Sequence, residues 1–281
     1  MRMLVTGSGG QLGQALRGRL ADSHDVLWTD LDELDVRDLA ATRELLAETG
    51  PDTVLHLAAM TQVDQCEQQP QRAYEVNALG TRYLALAARE VDAELLMIST
   101  DYVFDGRSGR PYQEYDDPNP LNAYGRSKLH GERAVQALTP KHYIVRTSGL
   151  FGPGGMNFVE AILRGAREKK RLAVVADQVC RPTYAPHLAG AIAMIAGSGN
   201  YGVYHVASTG EVSWAAFARA ILDQAGLSKV AVDEIRTAEL ARPAARPTYS
   251  VLDTRAFELT FGDALASWGE GLVEYLAGER E

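Results

Sequence analysis

The sequence predicts an α/β fold: a Rossmann-type, doubly wound parallel sheet followed by a smaller, mixed α/β C-terminal substrate-binding portion. Three observations predict it. Short apolar runs alternate with helix-patterned segments through the first half of the chain, as repeated β–α–β units do. A glycine-rich turn, "VTGSGGQLG", closes the first apolar run and opens the first helical one. After about Phe151 the regularity gives way to stretches broken by proline and glycine, such as "RPAARPTYS" (242–250). Residues 1–150 are therefore expected to form a dinucleotide-binding domain. Residues 151–281 are expected to be mainly substrate-binding, with a part at about 183–200 returning to the first domain.

The elements follow in order. "MLVTG" (3–7) reads as a strand into a turn, and "QLGQALRGRLA" (11–21) has helical apolar spacing. "DVLWTD" (25–30) is a strand ending in an acid, and "DLAATRELLAETG" (38–50) a helix closed by Gly50. "DTVLHLAA" (52–59) is a strand, 70–90 one long helix, and "ELLMIST" (94–100) a strand. "NAYGRSKLHGERAVQAL" (122–138) is a helix, and "HYIVRTSGLFG" (142–152) a strand leaving into a loop. Right-handed crossovers between parallel strands place helices on both faces of the sheet.

Composition excludes several classes. The 281 residues are 46% hydrophobic and 23% charged, an ordinary globular balance. A formal charge of −9 and a pI near 5.2 point to neither a nucleic-acid nor a membrane partner. The two cysteines, Cys66 and Cys180, stand outside any CxxC or HxxxH spacing. No metal site is expected, and a reduced, cytoplasmic setting is. The opening "MRMLVTGSGG" is broken at once by glycines, so neither a signal peptide nor a membrane span is expected there.

Gly7, Gly10 and Gly13 make a G-x-x-G-x-x-G turn around Gln11 and Leu12. Such a turn lets backbone approach a pyrophosphate and lets the helix pack close to the strand. The helix N-terminus then offers free N–H groups and a positive dipole end. A glycine turn without a ligand is the alternative. The strand–turn–helix setting and Asp30 favour a dinucleotide, because an acid after the second strand can bond the adenosine ribose. Asp35 and Val36 would border the adenine. Further on, "NAYGRSK" sets Tyr124 and Lys128 four residues apart, on one face of a helix. A phenol near an ammonium can serve as an acid/base catalyst. A surface tyrosine packing on a lysine stem is the bland alternative.

The motifs "TGSGGQLG", "HLAAMTQVDQCE", "STDYVFDG", "PLNAYGRSKLHGE", "RTSGLFGPGGMNFV" and "LAVVADQVCRPTYA" occur in this order, followed by "YHVASTGEVSWAAFARAI" and "RPTYSVLDT". Together they resemble the dTDP-4-dehydrorhamnose reductase family of extended short-chain dehydrogenases/reductases, over nearly the whole chain. The resemblance implies reduction of dTDP-4-dehydro-6-deoxy-L-mannose to dTDP-L-rhamnose by NADH or NADPH. It implies that Tyr124 is the acid, that Lys128 lowers its pKa and holds the nicotinamide ribose, and that Thr100 bonds the substrate oxygen. It further implies that Ala58, Ala59 and Thr61 meet the cofactor at the end of a strand. Asp101, Tyr102 and Val63 would meet the deoxysugar, with ordinary packing the alternative for Tyr102 and Val63. Asn77 matches an asparagine that anchors the active site in many superfamily members and would meet the cofactor; a hydrogen bond within its own helix is the other reading. Arg246 would reach a phosphate of the nucleotide sugar or form a salt bridge at the domain edge.

Two departures stand out. Gly149 replaces a tryptophan that some members place against the sugar, so the pocket is wider or another ring fills the gap. Ala15 replaces a glutamate that ligates metal at a dimer interface in some members, which argues against a metal-bridged dimer. The oligomer is expected to be a monomer or homodimer. Two other functions fit less well: another nucleotide-sugar reductase or epimerase, and a non-catalytic subunit resembling the regulatory partner of methionine adenosyltransferase.

Overall fold

The computed structural model describes residues 1–262 and 265–278; the last residues of the expected C-terminal portion, 279–281, lie outside the described residues. The chain runs β1 (Arg2–Thr6), α1 (Gln11–Leu20), β2 (Asp25–Thr29), α2 (Leu39–Thr49), β3 (Thr53–His56), α3 (Val63–Gln68) and α4 (Pro70–Tyr74). It continues through α5 (Thr81–Glu90), β4 (Glu94–Thr100), α6 (Ala123–Leu138), β5 (His142–Thr147), β6 (Leu150–Phe151) and α7 (Phe158–Glu168). Then come β7 (Arg171–Val175), β8 (Val179–Cys180), β9 (Thr183–Tyr184), α8 (Ala185–Ile195), β10 (Gly202–His205) and β11 (Val212–Ser213). The described chain closes with α9 (Trp214–Gln224), β12 (Ala231–Ile235), α10 (Arg255–Phe261) and α11 (Trp268–Gly278).

Six parallel strands form one sheet in the order β10-β5-β4-β3-β1-β2. Its central strands are apolar on both faces, because helices cover both. On β1, Met3 and Val5 join Leu16 of α1 and Leu188 and Ile192 of α8 in one core. Leu4 between them points the other way, into a core with Leu46 of α2 and Leu84 of α5. A third core, around Phe151, Phe217 and Tyr275, lies among α7, α9 and α11. The segment 185–205 leaves that third unit: α8 packs on α1 and β10 extends the sheet beside β5. The chain turns one way from β1 to β2 and the other way from β1 to β3. That switch opens a crevice at the carboxyl ends of the strands, where ligands of such sheets bind.

Three elements differ from the sequence expectation. The strand expected over 52–59 stops at His56, because the backbone of Met60 bonds the side-chain amide of Asn77 instead of a neighbouring strand. The helix expected over 70–90 passes through a π-helical turn, Glu75–Gly80, that contains Asn77. The strand expected over 142–152 ends at Thr147; Ser148 and Gly149 bend it away, and β6 pairs with β9 instead. Helix α3, carrying "VDQCEQ", is too short to show a helical period in the sequence.

Candidate active site

The crevice is a cavity of about 720 Å³. One end is the glycine loop. Gly7 has φ +70°, and a Cβ there would stand 2.6 Å from the backbone nitrogen of Ala58. A Cβ on Gly13 would stand 2.4 Å from the carbonyl oxygen of Ser8. Side chains are therefore excluded where β1, α1 and the loop after β3 converge. Gly10, Gln11 and Leu12 line the same wall, as do Ala58, Ala59 and Thr61 opposite them. Asp30 accepts from the Gly9 N–H at 2.7 Å and the Leu31 N–H at 2.8 Å, and its carboxylate faces the cavity. Asp35 and Val36 border it further out, with Asp35 held below the usual carboxylate range by the Arg37 guanidinium.

Helix α6 brings Tyr124 and Lys128 into the wall one turn apart. The side chain of Asn122 caps the helix by accepting from the Gly125 N–H at 2.8 Å, which fixes where its first turn points. Burial pushes the Lys128 ammonium down to about 8, and the Glu132 carboxylate one turn on opposes that. Glu132 is itself buried and paired with Arg146 of β5 at 2.7 Å, and it accepts from Ser99. Burial pushes the Tyr124 phenol upward, and the group that opposes the shift is the Thr100 hydroxyl. The rings of Tyr102 and Tyr124 meet edge-on, centroids 6.1 Å apart.

Behind this wall, Asn77 is fully buried. Its amide clamps Met60 from both sides and donates to Ser127 at 2.9 Å. Asn77 does not reach the cavity, a correction to its expected cofactor contact. It ties the loop after β3 to α6, which is neither a cofactor contact nor a bond within its own helix. Next to it, His56 bridges Thr6 and Thr81, each at 2.9 Å. Burial pushes this imidazole down to about 3.

The other end of the cavity comes from distant segments. Val63, Thr100, Asp101 and Tyr102 line it, and so do Met156, Gln178, Trp214, Pro247 and Ser250. The sequence did not mark these last five, since they lie in loops and at element ends with no shared spacing. Trp214 answers the question left by Gly149: a Cβ on that glycine would stand 3.3 Å from the tip of the indole. Another ring therefore fills the gap, braced by Phe158 at a centroid distance of 4.5 Å. Arg246 takes the second of its two expected roles, the salt bridge. Its guanidinium pairs with Asp64 of α3 at 2.9 and 3.1 Å and donates to the Ala244 carbonyl, so it joins two segments at the cavity's edge and lies outside the wall. Ala15, on α1, packs against the core, and no group of three or more His, Cys, Asp or Glu that would hold a metal occurs among the described residues.

A glycine loop after β1, an acid after β2 and a Tyr-x-x-x-Lys helix beside a threonine at the end of β4 define a class: dinucleotide-binding enzymes of the extended short-chain dehydrogenase/reductase type. More narrowly, the chain belongs to the RmlD substrate binding domain family, whose model matches residues 1–280. It is similar to the spore coat polysaccharide biosynthesis protein SpsK of Bacillus subtilis, 40% identical over 98% of this chain and 96% of that protein. The crystal structure of a dTDP-4-dehydrorhamnose reductase from Clostridium acetobutylicum superposes with a TM-score of 0.97, 42% identity and full coverage of both chains. A dTDP-4-dehydrorhamnose reductase from Bacillus anthracis in complex with NADP superposes with a TM-score of 0.96, at 39% identity over 99% of each chain.

Proposed function

We propose that this protein reduces dTDP-4-dehydro-6-deoxy-L-mannose to dTDP-L-rhamnose with NADH or NADPH. The observation that carries the reading is the meeting of Thr100, Tyr124 and Lys128 in one cavity with the glycine loop. The excluded Cβ positions at Gly7 and Gly13, with the Asp30 carboxylate beside them, fit the backbone-lined cradle that a dinucleotide needs. Gly7, Gly10, Gln11, Leu12, Gly13, Asp30, Asp35, Val36, Ala58, Ala59 and Thr61 would hold it, with Tyr124 and Lys128 at its reactive end. When bound, the reduced nicotinamide supplies the hydride.

The remaining chemistry belongs to the chain. Reduction of a ketone builds negative charge on its oxygen. Donors aimed at that oxygen stabilise the transition state more than the ground state. Tyr124 gives it a proton, and Thr100 bonds it. Lys128, in a low-dielectric wall, adds positive charge whose effect water does not dilute. Val63, Tyr102 and Trp214 shape the space for the deoxysugar. In this division of labour, residues 1–150 bind the dinucleotide and the later portion supplies most of the sugar-facing wall. No helix among the described residues is long and apolar enough to cross a membrane.

The direct test supplies the 4-dehydro sugar nucleotide, made in place from its precursor, and follows oxidation of NADH and NADPH in separate assays. Formation of dTDP-rhamnose is expected. Failure to reduce this sugar, with turnover of a different nucleotide sugar, would reassign the substrate. The intact Thr100, Tyr124 and Lys128 constellation argues against the non-catalytic alternative.

A further inference from the structure

Thr100 has one hydroxyl proton and two lone pairs. One lone pair takes the Tyr102 N–H at 3.2 Å. Its oxygen also lies 3.1 Å from Oδ1 of Asp101. The other carboxyl oxygen of Asp101, Oδ2, accepts from Ser148 at 2.8 Å and from Ser250 at 2.5 Å. The carboxyl group is 3% exposed, and no ion pair to it occurs among the described residues. A hydroxyl can donate or accept, so the Asp101–Thr100 contact works in two directions.

With Asp101 ionised, the Thr100 proton must go to Oδ1. Thr100 then offers the cavity only a lone pair. With Asp101 neutral and its proton on Oδ1, the carboxyl donates to Thr100 while Oδ2 keeps both serines. The second Thr100 lone pair is then filled, and its own proton is free to point at the reacting oxygen. Oδ2 and both serines keep their bonds in this neutral form, and the Thr100 donor faces the cavity beside the Tyr124 phenol, where negative charge develops.

We propose that Asp101 is a positioning residue that sets the direction of the Thr100 hydroxyl, so that Thr100 donates to the reacting oxygen only while Asp101 is protonated. This inference rests on the reductase reading above. Burial pushes Asp101 up to about 6, while Ser250, Ser148 and Thr100 oppose that shift. The titratable groups that face it are Tyr102 and Tyr124 from the opening of the cavity and Cys180 from β8. Burial pushes all three upward, so they stay neutral where Asp101 titrates. Lys128, in the same wall, is pushed down to about 8 by burial, so the Asp101 proton is the one exchanged at the lower pH.

The experiment is the pH profile of kcat/KM for reduction in wild type, Asp101→Asn and Ser148→Ala. Wild type should lose efficiency as pH rises through the Asp101 titration, by up to about a hundredfold, the scale of one donor at a developing oxyanion. Asp101→Asn should turn over at a reduced level with that step abolished, because an amide can donate to Thr100 at every pH. Ser148→Ala removes a donor that favours the carboxylate, so its step should move to higher pH. A step at the lower pH, below that of Lys128, which persists in Asp101→Asn overturns the proposal. So does a folded, cofactor-binding Asp101→Asn with no turnover at any pH. Should Asp101→Asn fail to fold, an unmoved step in Ser148→Ala overturns it alone. Absence of turnover by wild type at every pH would sink the reductase reading. Turnover without a step in wild type would sink this inference and leave that reading standing.

Discussion

The two ends of the cavity are built in different ways. The dinucleotide end is made by consecutive pieces of chain: the loop after β1, the acid after β2 and the loop after β3. Its side chains are few, and its key feature is backbone brought close by glycine. The sugar end is made by pieces far apart in sequence: Thr100 to Tyr102 after β4, Ser148 and Gly149 after β5, Gln178 before β8, Trp214 on α9, and Pro247 to Ser250. Its features are side chains, several buried and polar, that meet only when the later portion packs against the sheet. A backbone cradle recognises what all dinucleotides share. A wall of side chains can be retuned one residue at a time, which suits the choice of a substrate.

Substitutions at each end should separate in what they change. The largest effect is expected between the two ends, at the acid. Tyr124→Phe keeps the ring and removes the proton donor; turnover should fall by roughly two to four orders of magnitude, the range of general acid catalysis. Cofactor binding, followed by fluorescence or calorimetry, should persist. Near-normal turnover would place the donor elsewhere.

Lys128→Met belongs to both ends and should blur the comparison. Turnover should drop roughly a hundredfold, as for a lost charged donor at a reacting centre, and cofactor affinity should weaken with it. A loss of turnover with unchanged cofactor affinity would remove the ribose contact from the proposal. Lys128→Arg should not rescue, because the planar guanidinium has a different shape and bonding pattern.

Trp214→Ala should act at the sugar end alone. Loss of an aromatic wall is worth about 1 kcal/mol beyond its area, so KM for the sugar nucleotide should rise several-fold while the cofactor Kd stays put. Equal weakening of both would show that the indole holds the whole cleft together through Phe158 and Phe217.

The smallest shift is expected from Asp30→Ser, at the dinucleotide end alone. Two like charges ~4 Å apart at an effective dielectric near ~20 repel by ~4 kcal/mol, an upper figure before water and side-chain motion reduce it. Asp30 is exposed, so a quarter of that is the more suitable scale, about fivefold in affinity. Wild type should therefore prefer NADH modestly, and Asp30→Ser should move the ratio of catalytic efficiencies toward NADPH. A wild-type preference for NADPH that the substitution leaves unchanged would take Asp30 off the ribose.

Local sequence determined the β–α–β half of this protein, the glycine turn at 7–13, the acid at Asp30 and the one-turn spacing of Tyr124 and Lys128. Each depends on interactions within a few residues or on a repeating period: strand alternation, helical spacing, the missing Cβ. Tertiary structure alone decided the rest. Asn77 became a clamp on Met60 because a π-helical turn faces the end of β3, and no pattern within "VNALGT" encodes that neighbour. Arg246 became a partner of Asp64 because two segments some 180 positions apart in sequence close on each other. Trp214 came to fill the space beside Gly149, and Ser148 and Ser250 came to share one oxygen of Asp101, by the docking of the later portion on the sheet. The physical reason is range. Propensity and periodicity act along the chain, whereas burial, charge pairing and the satisfaction of a buried carboxyl depend on whatever the fold brings within about 3 Å.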